Sequence, residues 1–190
     1  MSAGLRCFFA VPAPTAVIQE ALRAQRELAG DPVLKKLRWV RREQMHVTLR
    51  FIGEVAPEAL ADWQALTRST AALVPSGNAR LGLVDAFPSK KRSRVIVAHI
   101  DDLDGTLQAL EKELSAGAVA LGLARERRAF APHLTLGRLR SPCNLQASLD
   151  AWRLEPIVFS IRELCLYRSE LRPEGARHHI EERARLRASE

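Results

Sequence analysis

Apolar and polar positions change period several times along the chain. The opening run Arg6-Cys-Phe-Phe-Ala-Val-Pro12 is made of strand formers and closed by a proline. Over residues 14–28, Val17, Ala21, Leu22 and Leu28 recur at helical spacing until Gly30-Asp31-Pro32 stops the pattern. A brief strand is predicted at 37–40, and a longer one at 46–53, rich in β-formers and ending at a glycine. Leu60, Trp63, Leu66 and Thr67 share one side of a predicted helix at 57–73. Strands at 79–86 and 93–100 follow, separated by a basic turn at 88–93. Next come a helix at 104–123, with Asp104 as its N-cap and Gly122 near its end, and a strand at 133–139. A short helix at 145–152, one long strand at 156–167 and a closing strand at 177–186 complete the pattern.

This order, β-α-β-β-α-β-β-α-β-α-β-β, predicts an α+β fold with mostly antiparallel pairing. No Gly/Ser-rich linker or low-complexity stretch interrupts it, so residues 1–190 are expected to form one unit with two lobes. No apolar run approaches the ~18 residues that a membrane-spanning helix needs. Only Arg6 precedes the short apolar run near the start, which is not expected to serve as a secretory signal. Cys7, Cys143 and Cys165 form no close pair, which argues against a disulfide framework or a zinc ribbon and for a reducing cytoplasm. Nothing in the pattern demands more than a monomer.

Charge narrows the partners slightly. The formal net charge is +7, and 24 of the 29 cationic side chains are arginine. The planar guanidinium fork matches phosphate oxygens, which suits nucleotide or RNA partners. Genomic base composition would produce the same arginine excess, so charge alone decides nothing.

The strongest signal is a repeat. Five histidines and six threonines in 190 residues predict about 0.16 His-x-Thr pairs by chance. The chain has two, His46-Val-Thr48-Leu and His133-Leu-Thr135-Leu, each opening a predicted strand and spaced 133 − 46 = 87 residues apart. Strand alternation turns His46 and Thr48 to one face and Val47 and Leu49 to the other. The same holds for His133 and Thr135 against Leu134 and Leu136. If the two units are related by an approximate two-fold, two imidazoles and two hydroxyls flank one bound group.

That set suits in-line displacement at phosphorus. A water loses a proton on one side while the leaving oxygen gains one on the other, and two imidazoles near pKa 6.5 can hold opposite protonation states. The threonine hydroxyls donate to phosphoryl oxygens as their charge grows. Arg138 would add a charge-assisted contact, but simple alternation does not put it on the His133 face. It needs a bulge or a long reach. Metal binding is the competing use of two histidines, yet neither unit has a further ligand at suitable spacing, so no metal and no cofactor are expected.

These residues resemble the 2H phosphoesterase superfamily and, within it, the bacterial and archaeal RNA 2′,3′-cyclic phosphodiesterases, also called 2′-5′ RNA ligases. The resemblance starts at Arg6-Cys-Phe-Phe-Ala-Val. It passes through Trp39-Val40, the two His-x-Thr units and Phe130-Ala-Pro132, and ends at Leu166-Tyr-Arg-Ser-Glu-Leu171. It implies a bilobal α+β fold, with an antiparallel sheet and flanking helices in each lobe and the active-site groove between them. It also implies metal-free hydrolysis of an RNA 2′,3′-cyclic phosphate to a 2′-phosphate. His133 would be the proton acceptor that activates water and His46 the proton donor to the leaving 3′-oxygen. Thr48, Thr135 and Arg138 would hold the phosphate. Where the resemblance leads one to expect a tyrosine after Pro173-x-Gly175, this chain has His178-His179. His178 is expected to fill the same core or rim position.

His99 reads as a structural strand residue. Of Phe8 and Phe9, one should face the core, leaving Phe8 as the candidate to stack on a base in the groove. Two other functions use the same residues: non-catalytic binding of RNA ends, and reversible 2′-5′ ligation.

Overall fold

The computed structural model describes residues 4–150, 152–172 and 175–189, with Lys36 described by its backbone alone. Pro173, at the turn singled out above, lies outside the described residues. The strands are β1 (Leu5–Pro12), β2 (Arg38–Trp39), β3 (His46–Val55), β4 (Gly77–Phe87), β5 (Ser93–Asp102), β6 (His133–Cys143), β7 (Val158–Ile161), β8 (Glu163–Arg172) and β9 (Gly175–Arg185). The helices are α1 (Thr15–Leu28), α2 (Leu60–Leu73), α3 (Thr106–Ala120) and α4 (Gln146–Asp150).

The strands pair antiparallel in the order β7-β4-β5-β6-β3-β1-β8-β9, with β2 added on β6. The fold is α+β, and the order divides into two halves of four strands. A His-x-Thr strand is innermost in each: β6 is followed outward by β5, β4 and β7, and β3 by β1, β8 and β9. The halves exchange helices. α1 leaves β1, yet its Gln25 side chain donates to the carbonyls of Val40 and Leu136, beside β2 and in β6. α3 leaves β5 but packs on β3 and on α2, which itself lies against β8 and β9.

β1 shows how the sheet serves two surfaces. Cys7, Phe9 and Val11 join the main apolar core, while Phe8 and Ala10 form a separate small cluster with Cys165 and Tyr167 on the opposite face. That second face also carries the His46 and Thr48 side chains.

Two expectations are corrected. The long strand at 156–167 is two strands broken at Arg162, one pairing with β4 and the other with β1. The charged pair Arg162-Glu163 stands at the break, between two stretches of strand formers. In β8, Leu164 and Leu166 enter the main core while Cys165 and Tyr167 enter the other cluster, so this stretch is buried on both faces. Asp104 does not cap α3. Gly105 holds the N-cap position at φ 74°, and the Asp102 carboxylate reaches across it to accept from the backbone N–H groups of Leu107 and Gln108 at 3.2 and 2.9 Å. Asp104 instead accepts from the Asn78 backbone N–H at 2.8 Å.

Candidate active site

Val47 of β3 pairs with Leu134 of β6, and both are almost fully buried. Because the strands run antiparallel, this pair sets His46 beside Thr135 and Thr48 beside His133, with all four side chains on the face opposite the core. The approximate two-fold passes through the bridge.

Next, a bulge in each strand changes the alternation. In β6 the partner of Ile96 is Gly137 while that of Val97 is Thr135, so Leu136 is the extra residue. Arg138 is thereby turned to the His133 face and lines the groove. In β3, Phe9 pairs with Arg50 and Ala10 with Thr48, so Leu49 is the extra residue, and Phe51 reaches the same face. Phe51, five residues after His46, is therefore the two-fold counterpart of Arg138, five residues after His133. The Leu136 bulge is held from behind. Its carbonyl accepts from the Val40 backbone N–H at 2.9 Å and from Gln25 Nε2 at 2.9 Å.

The two imidazoles are anchored alike. His133 Nδ1–H donates to the Ala131 carbonyl at 2.7 Å, and His46 makes the equivalent bond to the backbone of Gln44, also two residues upstream. Each also has a phenylalanine against it: Phe8 lies 4.8 Å from His46, centroid to centroid, and Phe87 lies 5.0 Å edge-on from His133. Burial is the main cause that pushes the His46 pKa down to about 3, reinforced by His178, Arg138 and His133 and opposed by the Gln44 bond. Burial also lowers His133, against the Ala131 bond and with the help of His99 and Arg138. Arg138 is lowered by burial as well.

Phe8 does not offer a free face to a base. Only 2% of its surface is exposed, because His46, Phe51, Tyr167 and His178 pack around it at centroid distances of 4.8, 5.8, 5.2 and 5.1 Å. Phe8 supports His46, and Phe51, 61% exposed, is the accessible ring. His178 stands in the groove wall, 5.3 Å from His46 and nearly perpendicular to it, with a buried Nδ1 that has no hydrogen-bond partner. His99 lies opposite His133 in the ladder and contacts Asp85 at 3.1 Å, lining neither groove. Two grooves, of about 810 and 890 Å³, meet at Thr48, Phe51, Thr135 and Arg138, one extending past His46 and the other past His133. Among the described residues, no group of three or more His, Cys, Asp or Glu side chains gathers as a metal site would.

A family model described as the 2′-5′ RNA ligase superfamily matches residues 12–173. The chain belongs to this superfamily. It is 31% identical to the RNA 2′,3′-cyclic phosphodiesterase of Thermus thermophilus, over 96% of this chain and 91% of that protein. It is 30% identical to the RNA 2′,3′-cyclic phosphodiesterase of Geobacillus stearothermophilus over 86% of its own length, and spans about half (52%) of that protein. A crystal structure of a Thermus thermophilus protein superposes with a TM-score of 0.79 at 30% identity, covering 97% of this chain and all (100%) of that one.

Within this 2′-5′ RNA ligase superfamily chain, His46, Thr48, His133, Thr135 and Arg138 are thus brought onto one face by the sheet. The structure also brings Phe51 into both grooves and Gln25 behind the Leu136 bulge, and the sequence pattern alone did not single either out. For Phe51 a signal existed: the offset that singled out Arg138 from His133 selects Phe51 from His46. Gln25 gave none, since a glutamine on a helix says nothing about which distant carbonyls it will meet. No helix among the described residues is long and apolar enough to cross a membrane.

Proposed function

We propose that this chain is a cyclic phosphodiesterase that opens RNA 2′,3′-cyclic phosphate ends to 2′-phosphates, with its two histidines as acid and base and without a metal. The observation that carries the reading is the Val47–Leu134 pair, which aims two imidazoles and two threonine hydroxyls at one point from symmetry-related positions. The curated relatives named above support the substrate class.

In this reaction His133 accepts the proton of a water, the water oxygen bonds to phosphorus, and the bond from phosphorus to the 3′-oxygen breaks. His46 gives its proton to that oxygen, leaving a 3′-hydroxyl and a 2′-phosphate. The Nδ1–H of His133 is committed to Ala131, so Nε2 presents the lone pair that a base needs. His46 is anchored alike, and the base role of His133 follows the family resemblance. His46 is neutral in the free protein at pH 7, since its pKa lies near 3. The negative charge of a bound phosphate favours its protonated form, and a weakly basic imidazole then releases the proton readily. Thr48, Thr135 and Arg138 donate to the phosphoryl oxygens, where charge grows in the transition state.

Hydrolysis of a 2′,3′-cyclic mononucleotide, followed by ³¹P NMR in excess EDTA, tests the reading. Conversion to the 2′-monophosphate that is lost in both His46→Ala and His133→Ala supports it. A 3′-monophosphate product, or binding without turnover, overturns the stated mechanism.

A further inference from the structure

We propose that the two grooves divide a bound RNA end between them. The groove past His46 carries the phosphodiester backbone running 5′ from the terminal nucleotide, and the groove past His133 takes the terminal base. This rests on the cyclic phosphodiesterase reading above and adds to it where the remainder of the substrate lies.

Charge separates the two grooves. Arg6, Arg38 and Arg41 line the one past His46 together with the shared Arg138, and among the described residues no carboxylate lines it. The groove past His133 is lined by Arg50, Arg94 and Arg128 besides Arg138, but also by Glu111 and Glu126, so its excess of positive charge is smaller. Its Arg50 is already committed, with contacts to Glu126 at 3.5 Å and to the Ala124 carbonyl at 2.6 Å. A string of phosphates is favoured by a cationic wall and repelled by carboxylates. A base carries no charge, and its amino groups can donate to carboxylates. Phe87, Pro88 and Phe130 add apolar wall on this side, the surface that a flat heterocycle buries against. Both volumes, about 810 and 890 Å³, lie within the usual range for ligand sites of roughly 300–1,000 Å³.

The covalent structure of the substrate gives the same direction independently. The departing 3′-oxygen is attached to C3′, whose neighbour C4′ leads to the 5′ chain. The retained 2′-oxygen is attached to C2′, whose neighbour C1′ bears the base. With His46 at the departing oxygen, the chain begins on the His46 side and the base turns away from it.

The test compares a 2′,3′-cyclic mononucleotide with a five-nucleotide RNA ending in the same cyclic phosphate. Arg6 and Arg41 are both exposed and lie outside the reacting centre. An Arg6→Glu/Arg41→Glu double variant is expected to raise KM for the pentanucleotide at least ~10-fold at low salt, with the mononucleotide changed less than ~2-fold. In the unmodified protein, the dependence of log KM on log salt is expected to be steeper for the pentanucleotide. The variant should flatten it by about 0.7 for each phosphate that is no longer neutralised. An Arg94→Glu/Arg128→Glu variant in the other groove should show no such selectivity. Equal effects on both substrates overturn the inference, as does selectivity that appears in the Arg94/Arg128 variant instead. If the unmodified protein hydrolyses neither substrate, the phosphodiesterase reading itself fails, an outcome distinct from a wrong placement of the chain.

Discussion

Val47 and Leu134 face each other across the seam between β3 and β6, and their pairing makes one site out of two sequence repeats 87 residues apart. Each buries an aliphatic side chain on the core face, so each imidazole–hydroxyl couple must project on the other. A one-residue slip at this pair would bury four polar groups and expose both leucine-rich faces, which gives the register a strong energetic preference.

The acid and base roles can be separated with a substrate whose leaving group needs no acid. His46→Ala and His133→Ala are each expected to lower kcat on the natural cyclic phosphate by ~10²–10⁴-fold. When sulfur replaces the 3′ bridging oxygen, the thiolate departs without a proton. His46→Ala should then recover most of its lost rate while His133→Ala does not, as read by release of free thiol. The reverse pattern would exchange the two roles.

Gln25 is expected to matter to a site it never touches. It satisfies the Val40 and Leu136 carbonyls from behind, and Leu136 is the bulge residue that aims Arg138. Gln25→Leu leaves these buried acceptors short of a donor and should cost about 1–3 kcal/mol of stability. It should also raise the inhibition constant of inorganic phosphate several-fold, because Arg138 loses its fixed position. Urea denaturation and phosphate inhibition measure the two effects. Unchanged phosphate affinity in a destabilised variant would make Gln25 a packing residue alone.

How much of this was legible in the chain follows from which interactions are local. Alternation placed His46, Thr48, His133 and Thr135 on common faces, and recurrence of the unit exposed the two-fold. Arg138 was legible only as a conflict, a phosphate-binding side chain on the wrong parity, and the bulge at Leu136 resolves it. The split of 156–167 between two halves of the sheet is marked by the charged pair Arg162-Glu163, a signal outweighed by the strand formers on either side of it. The cap of α3 was misplaced by two residues, since Gly105 lets Asp102 reach over the turn. Phe8 drew the stacking role because strand parity cannot reveal how many other rings will cover a ring.

His178 is expected to act as a positioning residue through His46. Its ring stands perpendicular to His46 at 5.3 Å and edge-on to Phe8 at 5.1 Å, with Tyr167 at 6.5 Å and His179 adjacent in sequence. Arg138 and His133 act on His46 from the other half of the sheet. His178→Phe keeps the packing and removes a competing positive charge. The low-pH limb of the kcat/KM profile should therefore move to higher pH, with KM for the cyclic mononucleotide changed less than ~3-fold. The same variant should gain about 1 kcal/mol in stability at pH 7, because the buried Nδ1 without a partner is gone. An unmoved pH profile would reduce His178 to a wall of the groove.

The histidines also set how stability depends on pH. His46, His133 and His178 all have lowered pKa values in the folded protein, each chiefly through burial. Below pH ~6.5 the unfolded chain takes up protons that the folded site refuses, so stability falls as the pH falls. For His46 the loss continues to about pH 3, where the folded form is itself protonated. Several carboxylates, Glu20 and Asp85 among them, have lowered pKa values and cost stability in the same direction, but only as the pH approaches their own range near 4. The interval from pH 6.5 to 5 is thus a histidine window. Urea midpoints measured across it should decline with falling pH, and His46→Phe should flatten the decline. Saturating inorganic phosphate should flatten it too, since a bound anion favours the protonated imidazoles of the folded state. A flat profile in the unmodified protein would mean that the imidazoles are solvated as in the unfolded chain, contrary to the packing of Phe8 and Phe87 against them.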